Sequence, residues 1–142
     1  SARAAGVLSG CTEPQLESLY HYGRPLGLAC QVVDDILRFT GSDQQLGKPA
    51  ASDLSSGYLT APALYALEEN PSLGVLIERE FSNEGDLDEA LRIVRQSDAI
   101  ARTRQLAERF AQESREALSW LPESTCRTAL LELPDFVLSR LY

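Results

Sequence analysis

Leu26-Gly27-Leu28-Ala29-Cys30-Gln31-Val32-Val33-Asp34-Asp35-Ile36-Leu37-Arg38-Phe39 is the stretch whose reading decides the fold. Leu26, Leu28, Ala29, Val32, Val33, Ile36, Leu37 and Phe39 crowd more than one face of a helix, the pattern of a helix buried on most sides. Two adjacent acids sit inside this apolar run. Burying unpaired charge is costly, so such a pair calls for a balancing cation. The cation this pattern suggests is a metal, and the ligand is a metal-bound phosphate.

The helix containing this stretch starts near Thr12-Glu13-Pro14-Gln15, with Thr12 as cap and Gln15 three residues on. It runs to about Thr40, and Pro25 should kink it, because proline removes a donor and clashes with the preceding turn. Before it, Ser1 to Ser9 read as the end of a helix stopped by Gly10. After it, Gly41 to Gly57 read as a loop of turn-forming residues. Helices follow at Thr60 to Glu69, closed by Asn70-Pro71, at Ser72 to Phe81, and at Asp86 to Gln96 with acids in its first turn.

A long amphipathic helix then runs from Ser97 or Asp98 to about Leu118. Its stripe is Ile100, Thr103, Leu106, Ala107, Phe110, Ala117, Leu118 and Leu121. Pro122 suits the first turn of a last helix to about Leu141, interrupted by Pro134. No β segment, repeat or low-complexity tract is evident. The expected fold class is all-α.

Composition narrows the function classes. The chain has 142 residues, about one domain, and 44% of them are hydrophobic, enough for a packed core. Its net charge of −8 argues against a nucleic-acid partner. No apolar run approaches the length of a membrane span, and no signal peptide is evident. Cys11, Cys30 and Cys126 lie far apart without a CxxC pair, which argues against zinc or a disulfide framework and fits a reducing cytoplasm. The chain begins at Ser1 and contains no methionine, so the expectation is a fragment of something longer.

On a helix, residues three and four apart share a face. Gln31, Asp34, Asp35 and Arg38 therefore line one side. Asp34 and Asp35 are the candidate metal ligands, since Mg²⁺ prefers carboxylate, water and phosphate oxygen. Gln31 can hydrogen-bond a substrate or orient a carboxylate, and Lys48 can reach a phosphate from Gly47-Lys48-Pro49. The plain alternative is a pair of surface acids. The apolar flanks and the downstream Gly-Lys segment favour a site.

Gly27 to Gly41, then Leu46-Gly47-Lys48-Pro49-Ala50-Ala51-Ser52-Asp53-Leu54, resembles the second aspartate-rich region of trans-polyprenyl diphosphate synthases. Tyr22-Gly23-Arg24-Pro25-Leu26-Gly27, Gly57-Tyr58-Leu59-Thr60-Ala61-Pro62 and the ending Leu133-Pro134-Asp135-Phe136-Val137-Leu138-Ser139-Arg140 also match that pattern in order. The resemblance is closest to long-chain, solanesyl- or octaprenyl-type enzymes of cyanobacteria and plastids. It implies an all-α bundle around a deep cavity, with two aspartate-rich motifs holding Mg²⁺ against the diphosphate of an allylic substrate. Ionisation gives an allylic cation, the double bond of isopentenyl diphosphate attacks it, and a proton is lost. Asp34 and Asp35 are then the metal-side, catalytic carboxylates; Gln31 and Lys48 are substrate-binding.

Three positions depart from the pattern. Arg38 stands where the DDxxD motif has its third acid; it can pair with Asp34 or Asp35 and weaken metal binding, or touch the diphosphate directly. Cys30 replaces an aromatic residue as a packing group, and Tyr58 replaces a lysine. The first aspartate-rich motif and the isopentenyl-diphosphate region are absent from this sequence. Residues 1–142 are therefore expected to be the C-terminal portion of a polyprenyl synthase domain, inactive alone, assembling as a homodimer in the cytoplasm, or in a plastid if the source is a plant. The alternative is a non-catalytic helical subunit or interaction module of the same lineage.

His21 reads as a structural or surface residue rather than a catalytic one, and Trp120 as a core anchor. Arg102, Arg104 and Arg109 read as a solvated face balanced by Glu108 and Glu113, and Arg140 as an exposed helix end.

Overall fold

Every element among the described residues is helical, as the apolar spacing predicts. The computed structural model describes residues 1–40 and 47–142, and for 47–49 the backbone alone. Among the described residues the order is α1 (Ala2–Leu8), α2 (Glu13–Thr40), α3 (Gly47–Ser55), α4 (Ala61–Glu69), α5 (Ser72–Glu78), α6 (Asp86–Gln96), α7 (Ala99–Glu116) and α8 (Thr125–Ser139). No described helix is long and apolar enough to cross a membrane. The chain divides into two units: Ser1–Val33 with Leu106–Tyr142, and Asp34–Gln105.

In the first unit, α1 ends at Leu8, and Gly10, two residues on, has a φ of 69°, the left-handed geometry that closes a helix. The start of α2 carries half of the expected capping box: the Thr12 N–H donates to Gln15 Oε1 at 2.9 Å. The helix then runs without a break through Pro25. Leu16, Tyr22, Ala29, Val32 and Val33 of α2 are buried, as are Ala107, Ala111, Ser114 and Leu118 from α7 onward. His21 is exposed and pairs with Glu17 at 3.1 Å. Trp120 is only half-buried, beside Pro14, Gln15 and Ser18, so the core-anchor expectation is corrected.

Two expectations for the last helix are also corrected. α8 starts at Thr125, capped by Ser124, whose Oγ accepts the Arg127 N–H at 3.1 Å; Pro122 lies before it. Pro134 does not interrupt it. Proline there withholds the N–H that the Leu130 carbonyl would receive within the helix. The Tyr22 hydroxyl donates to that carbonyl instead, at 2.9 Å. Ser114 Oγ in turn donates to the Tyr22 carbonyl at 3.0 Å. One buried tyrosine thus joins α2 to both α7 and α8, and burial pushes its phenol pKa up.

The second unit is built around α6, against which α3, α4 and α5 pack. Ala90, Leu91, Ile93 and Val94 of α6 join Ala50, Leu54, Ala63, Ala66, Leu73, Leu76 and Ala99 in one apolar cluster. α4 matches its expected span, and Asn70 takes extended geometry, as a residue before proline favours. α5 stops at Glu78, short of the expected Phe81. Glu80 and Phe81 both have positive φ, and their N–H groups turn back to the carbonyls of Ile77 (2.9 Å) and Leu76 (3.1 Å). Those two bonds end the helix with Glu80 where glycine is usual.

Two charge pairings were not anticipated. Arg102 sits over the Tyr65 ring, 4.2 Å from its centroid, and pairs with Glu68 and Glu69 rather than with Glu108 or Glu113. Asp86, buried at the first position of α6, accepts from Arg79 Nε at 2.8 Å, from Arg79 Nη2, and from the Asn83 N–H at 3.1 Å. The Arg79 hydrogen bonds hold its carboxyl below the usual carboxylate range.

Two tests follow from these contacts. Tyr22→Phe leaves the Leu130 carbonyl without its donor and should cost about 1–3 kcal/mol of stability by denaturant unfolding; an unchanged midpoint would show that the bond contributes nothing. The lowered pKa of Asp86 means that its ionised form is favoured by folding. Its contribution is complete above the unfolded value of about 4 and fades as pH falls through the lower folded value. Unfolding midpoints taken from neutral to strongly acidic pH should therefore decline less steeply in Asp86→Asn than in the parent chain.

Candidate functional site

The last three turns of α2 carry the acidic pair. Val32, Val33, Ile36 and Phe39 are buried, which fixes the rotation of this segment. That rotation leaves Asp35 only 6% exposed, Asp34 half-buried and Gln31 exposed. Gln31, Asp34 and Asp35 thus lie one turn apart along one side of α2, as their spacing predicts.

Arg38 follows one turn later. Its Nη1 donates to Asp53 Oδ2 of α3, and the two groups form an ion pair. The expected pairing of Arg38 with Asp34 or Asp35 is corrected: its ion pair goes to α3. The Asp53 hydrogen bond chiefly raises the Arg38 pKa, with smaller contributions from the fields of Asp35 and Asp34. A cation in the last turn of α2 also suits the negative end of the helix dipole. Close by, Arg95 Nε donates to the Phe39 carbonyl at 3.0 Å, satisfying a carbonyl near the helix end.

α3 lies within the segment read as a loop, and this too is a correction. Its Gly, Pro and Ser residues look like turn formers, yet Pro49 falls in the first turn, where backbone N–H groups have no helical partner anyway. Ala50 and Leu54, four residues apart, are 0% and 1% exposed and bury one face of the short helix. Gly57, with φ of 78°, ends it, and the Tyr58 N–H donates to the Asp53 carbonyl at 2.9 Å. The Tyr58 side chain is 68% exposed. Lys48 belongs to the first turn of α3 by its backbone, and its side chain lies outside the described residues, as do residues 41–46 of the expected loop.

Asp53 is the site residue that the sequence reading passed over. Its signal was present: it stands three residues after Ala50 and one before Leu54, on the side of α3 adjoining the buried face. Among the described residues no group of three or more His, Cys, Asp and Glu side chains is placed to hold a metal. The donor set of Asp34 and Asp35 still suits Mg²⁺, which keeps several waters and is commonly bound by one or two carboxylates plus substrate phosphates.

Residues 1–94 match the polyprenyl synthetase family. The chain belongs to that family. The chain is 56% identical over 142 residues to a prenyl transferase of Synechocystis sp., covering all of this chain and 44% of that protein. Its fold matches the apo form of an Arabidopsis medium/long-chain length prenyl pyrophosphate synthase with a TM-score of 0.86 at 37% identity, covering 99% of this chain and 49% of that one. It also matches a Caulobacter crescentus polyprenyl synthase complexed with calcium and isoprenyl diphosphate, with a TM-score of 0.82 at 34% identity, covering 99% and 44%. The all-α architecture is therefore the helical fold of the prenyl synthases. The chain spans less than half the length of these relatives.

Proposed function

We propose that this chain is the C-terminal part of a Mg²⁺-dependent trans-prenyltransferase. The complete protein would condense isopentenyl diphosphate with an allylic diphosphate to a long-chain all-trans polyprenyl diphosphate. The observation that carries this reading is the acidic pair: Asp35 buried and Asp34 half-buried on one side of α2, in a chain of the polyprenyl synthetase family. The calcium and isoprenyl diphosphate bound to the Caulobacter relative support a divalent cation beside a diphosphate.

In this reading Asp34 and Asp35 hold the cation. Bound there, Mg²⁺ would neutralise charge on a diphosphate leaving group. Gln31, exposed one turn earlier, presents an amide to phosphate oxygen. Lys48 is proposed as a second phosphate contact. The buried Val33 and Ile36 flank the acidic pair in sequence and hold this segment of α2 in place. The electron pair of the breaking C–O bond leaves with the diphosphate, so the task of this chain's polar residues is to hold that anion. The isopentenyl double bond supplies the electrons of the new C–C bond, and a proton departs from the adduct.

A cytoplasmic location, or a plastid one if the source is a plant, is part of the proposal, and rests on the wide spacing of Cys11, Cys30 and Cys126 without a CxxC pair. A homodimer is part of the proposal, supported by Leu133 and Phe136 of α8, whose apolar side chains are exposed. One observation favours the second reading, a non-catalytic subunit of the same lineage: Arg38 occupies the position where the DDxxD pattern has its third acid.

Calorimetric titration with inorganic pyrophosphate in excess Mg²⁺ separates the two readings. The proposal expects binding by the parent chain, and a loss of roughly 2 kcal/mol, about thirtyfold in affinity, in Asp34→Asn and in Asp35→Asn. Binding that is indifferent to both substitutions would remove the metal-holding role. In a separate assay, the 142-residue chain should give no labelled polyprenyl product from isopentenyl diphosphate and an allylic primer. Product formation would show that its residues suffice for catalysis.

A further inference from the structure

Arg38 is more than a replacement for a missing acid. Its bond to Asp53 is its one hydrogen bond among the described residues, and it uses Nη1. A guanidinium carries five N–H donors in a planar fork, and the Asp53 bond uses the Nη1 end of it. The side chain is 40% exposed, leaving those donors accessible. It lies one turn beyond Asp34 and Asp35, within the field of both carboxylates.

The acidic surroundings give such a group a task. Asp34, Asp35 and Asp53 bring three carboxylates to the neighbourhood of Arg38, in a chain of net charge −8. A polyanion approaching this side of α2 meets repulsion that only local cations can offset. A guanidinium is always protonated, and its fork matches phosphate oxygens two at a time. The ion pair with Asp53 also restrains a long side chain, which lowers the ordering cost of a further contact.

We propose that Arg38, oriented by Asp53, donates hydrogen bonds directly to phosphate oxygens of the bound diphosphate. The motif then combines two cation-holding carboxylates with one anion-holding guanidinium. This inference rests on the reading of Asp34 and Asp35 as a metal–diphosphate site.

The test is calorimetric titration of the chain with inorganic pyrophosphate in excess Mg²⁺, alongside thermal unfolding of each variant. Arg38→Gln should weaken pyrophosphate binding about tenfold or more. Arg38→Lys, which keeps the charge and loses the fork, should recover part of that loss. Asp53→Asn breaks the same ion pair and keeps the guanidinium, so its affinity should stay within about fivefold of the parent. Equal weakening by Arg38→Gln, Arg38→Lys and Asp53→Asn, with a matching loss of thermal stability in all three, would mean that the pair acts only through structure, and would overturn the inference. So would parent-like binding in Arg38→Gln, which leaves the reading of Asp34 and Asp35 standing. Failure of the parent chain to bind Mg²⁺ and pyrophosphate would overturn both.

Discussion

A carboxylate with 6% exposure, set in a helix segment whose neighbours are buried aliphatic and aromatic side chains, is the constraint on which the site depends. Val33 and Ile36 are fully buried, and they determine which way Asp35 points. The helix cannot rotate to release the acid without exposing those side chains, each worth about 1.5–3 kcal/mol when buried. The sequence therefore holds negative charge at a fixed place and leaves its neutralisation to cations. Arg38 is one such cation, and it is itself anchored by Asp53.

The same logic of local deficits met from a distance runs through the first unit. Pro134 leaves the Leu130 carbonyl without its helical donor, and Tyr22 supplies one from α2. In the second unit, Asp86 begins α6 buried and takes its hydrogen bonds from Arg79 and Asn83. In each case a residue that local rules disfavour is tolerated because a specific partner satisfies it.

The pattern of what was legible in the sequence follows from this. Long helices with a periodic apolar face were readable, and α2, α4 and α6 begin and end within a residue or so of their expected limits. The family resemblance was readable from motifs in order, and Gln31, Asp34 and Asp35 fall on one side of α2 as their spacing requires. α3 was missed because Gly47, Pro49 and Ser52 outweigh the lone Ala50–Leu54 pair in a local reading. The continuity of α8 through Pro134 was missed because its remedy lies 108 residues away in sequence, at Tyr22. The early end of α5 was missed because Glu80 takes a left-handed conformation usually left to glycine. Helical spacing points Arg38 to its own helix, where the residues three and four before it, Asp35 and Asp34, are both acidic. The structure supplies its partner from the helix that the local reading did not see.

The central claim is that Asp34 and Asp35 hold a divalent cation against a diphosphate. Its most direct test is a crystal structure of the chain grown with Mn²⁺ and inorganic pyrophosphate, examined for anomalous scattering. The account predicts a manganese peak within coordination distance of a carboxylate oxygen of Asp34 or Asp35, with pyrophosphate density beside it. Ordered pyrophosphate with manganese bound elsewhere, or with none at these carboxylates, would contradict it.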